Sequence, residues 1–181
     1  MKFAQALRIQ RGQTAAFVGA GGKTTALFAL ARELSPCVVT TTTHLGAWQA
    51  ALADQQVVVD AEAEKQTEAD FTAIIESVDW ARGVTLVSGP LRDERLGTLS
   101  AWQLEQLSAF CRTKGLSLLI EADGARQKPL KAPAAHEPVI PEWVDCVVVV
   151  AGLSGLGKRL DEGTVHRANV FAQLAGIAPP A

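Results

Sequence analysis

The chain has 181 residues, of which 48% are hydrophobic and 20% are charged, and its formal net charge is −2. These values fit one globular domain with a substantial core, and they argue against a nucleic-acid or anionic-membrane partner. The three cysteines are scattered, so we expect reduced thiols and a cytoplasmic protein rather than a disulfide framework. The longest apolar run, around 146–153, is too short to cross a bilayer, so no membrane segment is expected.

The predicted elements alternate between apolar strands and helices along the chain. Strands are predicted at 14–20, 37–43, 56–60, 83–89, 116–124 and 144–152. Helices are predicted at 23–34, 62–78, 101–113 and 164–175. The strands are almost entirely apolar, as in parallel sheets that helices cover on both faces. The sequence therefore predicts one α/β domain over 1–181, a three-layer α/β/α structure with a mostly parallel sheet.

The first predicted strand runs into a glycine-rich turn, and a helix follows directly, in the stretch FVGAGGKTTALFALA. Glycines let backbone N–H groups turn toward an anion, and a helix N-terminus adds partial positive charge. Phe17 stands where the pattern G-x-x-x-x-G-K-[ST] requires glycine, so the loop is a shortened form. We predict that Lys23 reaches the β- and γ-phosphates and that Thr24 ligates Mg²⁺. The predicted nucleotide-binding residues are Gly19, Ala20, Gly21, Gly22, Lys23, Thr24 and Thr25.

A second glycine string, GLSGLGKR over 152–159, matches the phosphate-loop pattern in full but lacks its mechanism. Arg159 replaces the metal-binding hydroxyl, and no helical pattern begins directly after it. We interpret this segment as a glycine-rich turn near the site.

Two carboxylates close an apolar strand in the stretch LLIEADG. Acidic residues at the end of a buried strand are costly unless they are paired or bound to a cation. We therefore predict that Asp123, with Glu121 nearby, holds Mg²⁺ or orients water, so that Lys23, Asp123 and Glu121 form the catalytic set. The alternative is that these carboxylates only form a salt bridge to Arg126 or Lys128.

Basic and histidine side chains after these strand ends suit an anionic second substrate. The predicted substrate-binding residues are His44, Arg126, Lys128, Lys131 and His136. A solvated basic loop explains the lysines and arginine equally well, and a capping role explains His44 equally well. The charged loop at 89–97 is expected to be exposed, and its sequence does not choose between a lid and a partner surface.

Four segments together resemble the YqeC-like proteins, in the order VGAGGKTT, TTTTH, EADGARQKPLKAPAAHEPVIP and LGKRLDEGTVHR. That family is described as accessory to selenium-dependent molybdenum hydroxylases. The resemblance runs from about Phe17 to about Arg167 and implies a P-loop NTPase-like fold. It also implies a role in maturing a molybdenum cofactor that carries labile selenium. Family members usually continue with another strand and helix region, so we expect a C-terminal part of the family to be missing, and ATP versus GTP stays open.

The expected function is Mg²⁺-dependent binding and hydrolysis of ATP or GTP, in the service of that maturation. The expected partners are the nucleotide and either an anionic cofactor or a molybdenum hydroxylase, without nucleic acid or membrane. Two alternatives stay open. One is an ATP-dependent ligase or kinase acting on an anionic small molecule held by Arg126, Lys128 and Lys131. The other is a nucleotide-gated binding or docking module that does not hydrolyse its ligand.

Overall fold

Short strands and helices alternate in the computed structural model, which describes residues 1–60 and 68–178. The α-helices are α1 (Phe3–Leu7), α2 (Lys23–Leu34), α3 (Glu68–Glu76), α4 (Ala101–Lys114) and α5 (Ala168–Ala175). The strands are β1 (Thr14–Gly19), β2 (Cys37–Thr41), β3 (Leu45–Gly46), β4 (Gln55–Val58), β5 (Val84–Ser88), β6 (Leu91–Arg92), β7 (Arg95–Leu96), β8 (Ser117–Glu121), β9 (Leu130–Lys131), β10 (Cys146–Val150) and β11 (Val165–His166). Two 3₁₀ helices occupy Ala47–Leu52 and Leu153–Gly155. Of the helices within these ranges, none has both the length and the apolar character that a bilayer crossing needs.

Six strands form one sheet in the order β10–β1–β8–β2–β5–β4, and each pairing in it is parallel. The four inner strands are buried almost throughout, because helices cover both faces of the sheet. The edge strands β4 and β10 carry exposed positions. The predicted α/β architecture with a mostly parallel sheet is therefore confirmed.

Two apolar clusters, one on each face of the sheet, form the core. Successive side chains of a strand point to opposite faces, so neighbours in β1 enter different clusters. Phe17 packs with α2 residues such as Leu27 and Leu30. Val18 packs with Phe71 of α3 and Leu107 of α4. The sheet is thus the middle of three layers.

Several element ends differ from the prediction. β2 ends at Thr41 and β8 ends at Glu121, earlier than predicted, because the chain turns away at the carboxyl ends of these strands. The last helix begins later than predicted, at Ala168, because β11 pairs with β9 in a separate two-stranded parallel sheet. The predicted helix over 62–78 is present as α3, and its predicted first part, 62–67, lies outside the described residues.

The carboxyl ends of the six parallel strands lie at one edge of the sheet, where open α/β sheets bind their ligands. A small antiparallel sheet in the order β3–β7–β6 adjoins this edge. Strands β6 and β7 form a hairpin over residues 91–96, which we call the β6–β7 hairpin. The loop from β1 to α2, the ends of β2 and β8, and this hairpin together surround the candidate site.

Candidate functional site

The loop between β1 and α2 packs closely against backbone on one side and is open on the other. Gly19, Gly21 and Gly22 have φ angles of 98°, 75° and 105°, which favour glycine. A Cβ on Gly21 would lie 2.6 Å from both the Gly152 nitrogen and the Pro129 oxygen, so no larger residue fits there. A Cβ on Gly22, the N-cap of α2, would meet no described atom within 4 Å. The loop therefore presents its open side at a helix N-terminus.

The second glycine string packs behind this loop. The Gly152 N–H donates to the Pro129 oxygen at 2.8 Å, and the Ala20 N–H donates to the Val150 oxygen at 2.8 Å. A short 3₁₀ turn at Leu153–Gly155 follows, and no α-helix begins there. The prediction of a glycine-rich turn near the site is confirmed.

Lys23 is the first residue of α2, and its side chain is only 5% exposed. Its Nζ donates to the Gly19 carbonyl at 2.8 Å and lies 3.1 Å from Asp123 Oδ1. The same Nζ lies 4.0 Å from Glu121 Oε1. A buried ammonium needs counter-charges of this kind. The structure therefore brings together the three side chains that we predicted as the catalytic set.

Asp123 lies just beyond the end of β8, with its side chain 3% exposed, and it contacts two lysines. Its Oδ2 accepts a hydrogen bond from the Gly19 N–H at 2.9 Å and lies 2.8 Å from Lys131 Nζ. Its Oδ1 lies 3.1 Å from Lys23 Nζ, but it accepts no hydrogen bond with good geometry from the described part of the chain. A buried carboxylate oxygen without such a hydrogen bond can accept one from a further donor, or it can bind a cation.

Thr24 connects the loop to the second carboxylate. Its Oγ1 donates to Glu121 Oε2 at 2.7 Å and accepts a hydrogen bond from Gln49 Nε2 at 2.8 Å. Burial raises the pKa of Glu121, and the hydrogen bond from Thr24 opposes that rise. Gln49 is held in turn by the Gly46 N–H, which donates to its side-chain oxygen at 2.7 Å. Sequence reasoning missed Gln49, because it lies in a 3₁₀ helix and belongs to no recognisable motif.

The polar atoms around Thr24 fit a hard divalent cation. The Thr24 hydroxyl and the carboxylates of Glu121 and Asp123 could offer oxygen ligands, the kind that Mg²⁺ prefers. Within residues 1–60 and 68–178, no group of three or more His, Cys, Asp or Glu side chains is arranged to hold a metal. A Mg²⁺ ion here would therefore take its other ligands from water and from phosphate oxygens, as is usual for this ion.

An open cavity of about 640 Å³ lies in front of the glycine loop. Its walls include residues 21–25 of the loop, residues 93–95 of the β6–β7 hairpin and residues 124–128. Of the predicted substrate residues, His44, Arg126 and Lys128 line this cavity, whereas His136 is exposed outside it. The volume is in the range of small-molecule sites. We call this space the loop cavity.

Lys131 does not line the loop cavity, because its side chain is only 2% exposed. Its Nζ donates to the Gly124 carbonyl at 2.7 Å and to Glu137 Oε2 at 2.9 Å. Glu137 also accepts a hydrogen bond from Arg167 Nη1 at 2.7 Å. Burial opposes ionisation of Glu137, but hydrogen bonds from Arg167 and Lys131 outweigh it and lower the Glu137 pKa to about 2. Lys131 thus compensates the charge of Asp123 from the buried side of the site.

Backbone strain is present in the wall of the loop cavity. Arg126 and Gln127 have φ angles of 47° and 59°, which cost non-glycine residues about 1–2 kcal/mol each. Lys128 holds this segment, since its N–H donates to the Ala125 carbonyl at 2.9 Å and its Nζ donates to the Gly163 carbonyl at 3.0 Å. Strained backbone that the surroundings hold in place is common at ligand sites.

Comparison with known proteins gives the family. The family model described as "YqeC protein" matches residues 15–169, a span that includes the glycine loop, both carboxylates and Arg167. The chain belongs to the YqeC family. It is 34% identical over 175 residues to the uncharacterized protein YqeC of Escherichia coli (strain K12). That match covers 91% of this chain and 61% of the relative, so the chain spans less than two thirds of the relative's length.

No solved structure matches the chain.

The predicted resemblance to YqeC proteins is confirmed. In this YqeC-family chain, the segments that carry the resemblance meet at one edge of the sheet. The first forms the glycine loop, the third supplies Asp123, Lys131 and Glu137, and the fourth supplies Arg167.

Proposed function

We propose that this protein binds a nucleoside triphosphate with Mg²⁺ at the glycine loop and hydrolyses it. One observation carries the proposal: the buried ammonium of Lys23 lies at the N-terminus of α2, beside the open side of the loop and 3.1 Å from Asp123. A helix N-terminus, a glycine-rich turn and a lysine at one point favour a polyanion. The loop cavity in front of them has room for a small molecule.

In the proposed complex, Lys23 turns from the Gly19 carbonyl toward the phosphates. Lys131 remains 2.8 Å from Asp123 and compensates its charge when Lys23 leaves. Thr24 and Glu121 would hold Mg²⁺, which neutralises charge on the phosphate oxygens when it is bound. Asp123, released from Lys23, then orients a water molecule for attack on the terminal phosphate.

We further propose that this activity serves the maturation of selenium-dependent molybdenum hydroxylases in the cytoplasm. The family resemblance supports this role. The anionic molybdenum cofactor or the hydroxylase itself would be the partner.

Calorimetric titration with Mg-ATP and with Mg-GTP, one at a time, tests nucleotide binding. The unaltered chain should bind one of them, and Lys23→Ala should weaken that binding by roughly a hundredfold or more, since a charge-assisted contact is lost from a buried site. Lys114→Ala is the matched control, because Lys114 is exposed at the far end of α4. Equal affinity of Lys23→Ala and the unaltered chain would refute the assignment.

Turnover separates hydrolysis from binding alone. Asp123→Asn should keep nucleotide binding and slow phosphate release by roughly a hundredfold, the usual effect of losing a group that positions or activates water. Phosphate release is measured under saturating nucleotide with and without a purified hydroxylase. Tight binding without turnover in both conditions would support the docking-module alternative instead.

A ligase or kinase remains a second candidate, and one observation favours it. A further cavity adjoins the loop cavity at the β6–β7 hairpin, and it has the volume of a small-molecule site.

A further inference from the structure

Trp48 differs from the other three tryptophans of the chain in its surroundings. Trp80 and Trp143 pack against the apolar cluster on the α3 and α4 face of the sheet. Trp102 contacts the Phe71 ring, with 5.4 Å between the ring centroids. Trp48 instead is 69% exposed, and it lines the loop cavity. Because tryptophan is highly buried on average, an indole that is open to a cavity is a candidate ligand contact.

The short helix that carries Trp48 is held from two sides. It is the 3₁₀ helix Ala47–Leu52, and the Ala47 N–H donates to the Glu94 carbonyl of the β6–β7 hairpin at 2.9 Å. Gln49, the next residue after Trp48, donates from its Nε2 to Thr24 Oγ1 at 2.8 Å. The backbone of Trp48 is therefore fixed between the hairpin and the first turn of α2.

Gly46 determines where the indole ring rests. A Cβ on Gly46 would lie 2.9 Å from Trp48 Nε1 and 3.1 Å from Trp48 Cδ1, so one edge of the ring lies against the Gly46 backbone. A larger residue at this position would displace the ring. Gly46 lines the loop cavity together with Trp48. One edge of the indole is thus supported by backbone, and most of the ring is left exposed.

Trp48 also lies close to the end of the cavity that the proposed function assigns to phosphate. Gln49 connects the two places, because its side chain reaches the Thr24 hydroxyl and its Cα lies about 3.8 Å from that of Trp48. The Trp48 backbone is therefore separated from the Thr24 hydroxyl by little more than the length of one glutamine side chain. Both residues line one cavity of about 640 Å³, which has room for a small molecule.

We propose that Trp48 stacks on the base of the nucleotide and so holds its nucleoside end in the loop cavity. Every nucleobase has a π-face that can stack on an aromatic side chain, and one such contact raises affinity by roughly tenfold. Stacking does not read the edge of a base, so the contact serves adenine and guanine alike. This inference rests on the proposed nucleotide function and adds to it the residue that recognises the base.

Inorganic tripolyphosphate, which has no base, separates stacking from phosphate binding. Calorimetric titration of the full chain compares Mg-tripolyphosphate with Mg-ATP and Mg-GTP. Trp48→Leu keeps an apolar side chain but removes the ring, so it should weaken binding of the preferred nucleotide by roughly tenfold. Its affinity for Mg-tripolyphosphate should not change, because the glycine loop is unaltered. Trp48→Phe retains an aromatic ring and should recover most of the nucleotide affinity.

Trp102→Leu is the matched control. Trp102 lies in α4, is 37% exposed and does not line the loop cavity, so this variant should bind both ligands as the unaltered chain does. Thermal unfolding verifies that each variant is folded. Trp48→Leu should melt close to the unaltered chain, since an indole that is 69% exposed has little packing to lose.

Indole fluorescence gives a second readout. Nucleotide binding should quench part of the emission of the unaltered chain, because a base in contact with an indole quenches it. Trp48→Phe retains the other three tryptophans and should show no such quenching when it is saturated with nucleotide. Saturation with tripolyphosphate should quench neither chain.

The outcomes distinguish this inference from the function on which it rests. Equal nucleotide affinity of Trp48→Leu and the unaltered chain would overturn the stacking and leave the nucleotide function standing. Equal losses for nucleotide and tripolyphosphate in Trp48→Leu would also overturn it, since the change would then act on the loop. If Trp48→Leu binds nucleotide normally but loses binding to a purified hydroxylase, the ring belongs to a protein interface instead. If the unaltered chain binds neither ligand, both proposals fail.

Discussion

A row of alternating charges runs beneath the glycine loop, from Lys23 through Asp123, Lys131 and Glu137 to Arg167. The successive contacts are 3.1, 2.8, 2.9 and 2.7 Å. Each inner member lies between two groups of opposite charge, which compensates for its removal from water. Loss of one inner member would leave its neighbours buried without that compensation.

Lys131 is the clearest test of this row of charges. Lys131→Met should destabilise the chain by about 3 kcal/mol, because Asp123 and Glu137 each lose a buried counter-charge. Urea unfolding gives the free energy directly. Lys128→Met is the matched control: the Lys128 side chain donates to the Gly163 carbonyl, and the loss of that hydrogen bond should cost under about 1 kcal/mol. Similar losses in the two variants would contradict the role assigned to Lys131.

Glu137 should make the stability depend on acid pH. Burial opposes its ionisation, yet hydrogen bonds from Arg167 and Lys131 lower its pKa from 4.5 to about 2. A carboxylate whose pKa falls on folding stabilises the chain above its unfolded pKa, and that contribution is lost as the pH falls from about 4.5 to about 2. Over this interval, the unaltered chain should lose on the order of 2 kcal/mol more than Glu137→Gln.

Urea unfolding of the two chains at a series of fixed pH values measures this difference. Glu121, whose pKa burial raises, is present in both chains, so its titration cancels in the comparison. Parallel stability curves for the unaltered chain and Glu137→Gln would show that Glu137 gains nothing from its contacts on folding.

At the scale of elements, the β1–α2 loop contains two glycines that should respond differently to substitution by alanine. Gly21→Ala should cost at least about 2 kcal/mol more than Gly22→Ala, because its Cβ would strike the backbone of Gly152 and Pro129. In Gly22→Ala the new Cβ would meet open space, so the loss of stability should be only the backbone strain at a φ of 105°, about 1–2 kcal/mol. Thermal or urea unfolding measures both. Equal losses would mean that the loop lacks the close packing against Gly152.

The central sheet was predictable because its strands are runs of buried apolar residues between turn signals. Most of the two-residue strands were not predictable, since β3 pairs with β7, and β9 with β11, across a long distance in sequence. Strand β9 at Leu130–Lys131, for example, pairs with β11 at Val165–His166, and this pairing delays the last helix. Pairing across such a distance leaves no periodic signal in either segment.

The candidate site was also predictable only in part. The strand-end rule correctly placed Lys23 beside Asp123, because both follow buried parallel strands. The burial of Lys131 was not predictable, since its charge partner Glu137 is fixed in turn by Arg167 from another segment. Gln49 gave no signal, because only the fold brings its amide to Thr24.

At the scale of the whole molecule, the reactivity of the cysteine thiols depends on how the core opens. Cys37 and Cys111 are buried in the clusters on opposite faces of the sheet. Burial raises the pKa of both thiols, to about 12 for Cys111. Cys146, at the start of edge strand β10, is partly exposed. The two buried thiols should therefore react only when the chain opens globally.

Iodoacetamide labelling counted by mass spectrometry tests this expectation. One thiol per native chain should be labelled promptly at mildly alkaline pH, and all three should be labelled in urea. Cys146→Ser should leave the native chain unlabelled over the same period. Prompt labelling of a second thiol would show that one face of the sheet opens independently of the other.

The contacts of Lys23 set a threshold for any ligand of the loop. An incoming anion has to offer the ammonium more than the Gly19 carbonyl at 2.8 Å and Asp123 at 3.1 Å already provide. If the loop binds a nucleotide as proposed, a chain of phosphates would meet the ammonium, the loop amides and the Thr24 hydroxyl at once, whereas chloride or a lone orthophosphate would replace few of these contacts. Cellular salts would then compete poorly, and affinity would climb steeply from nucleoside monophosphate to triphosphate.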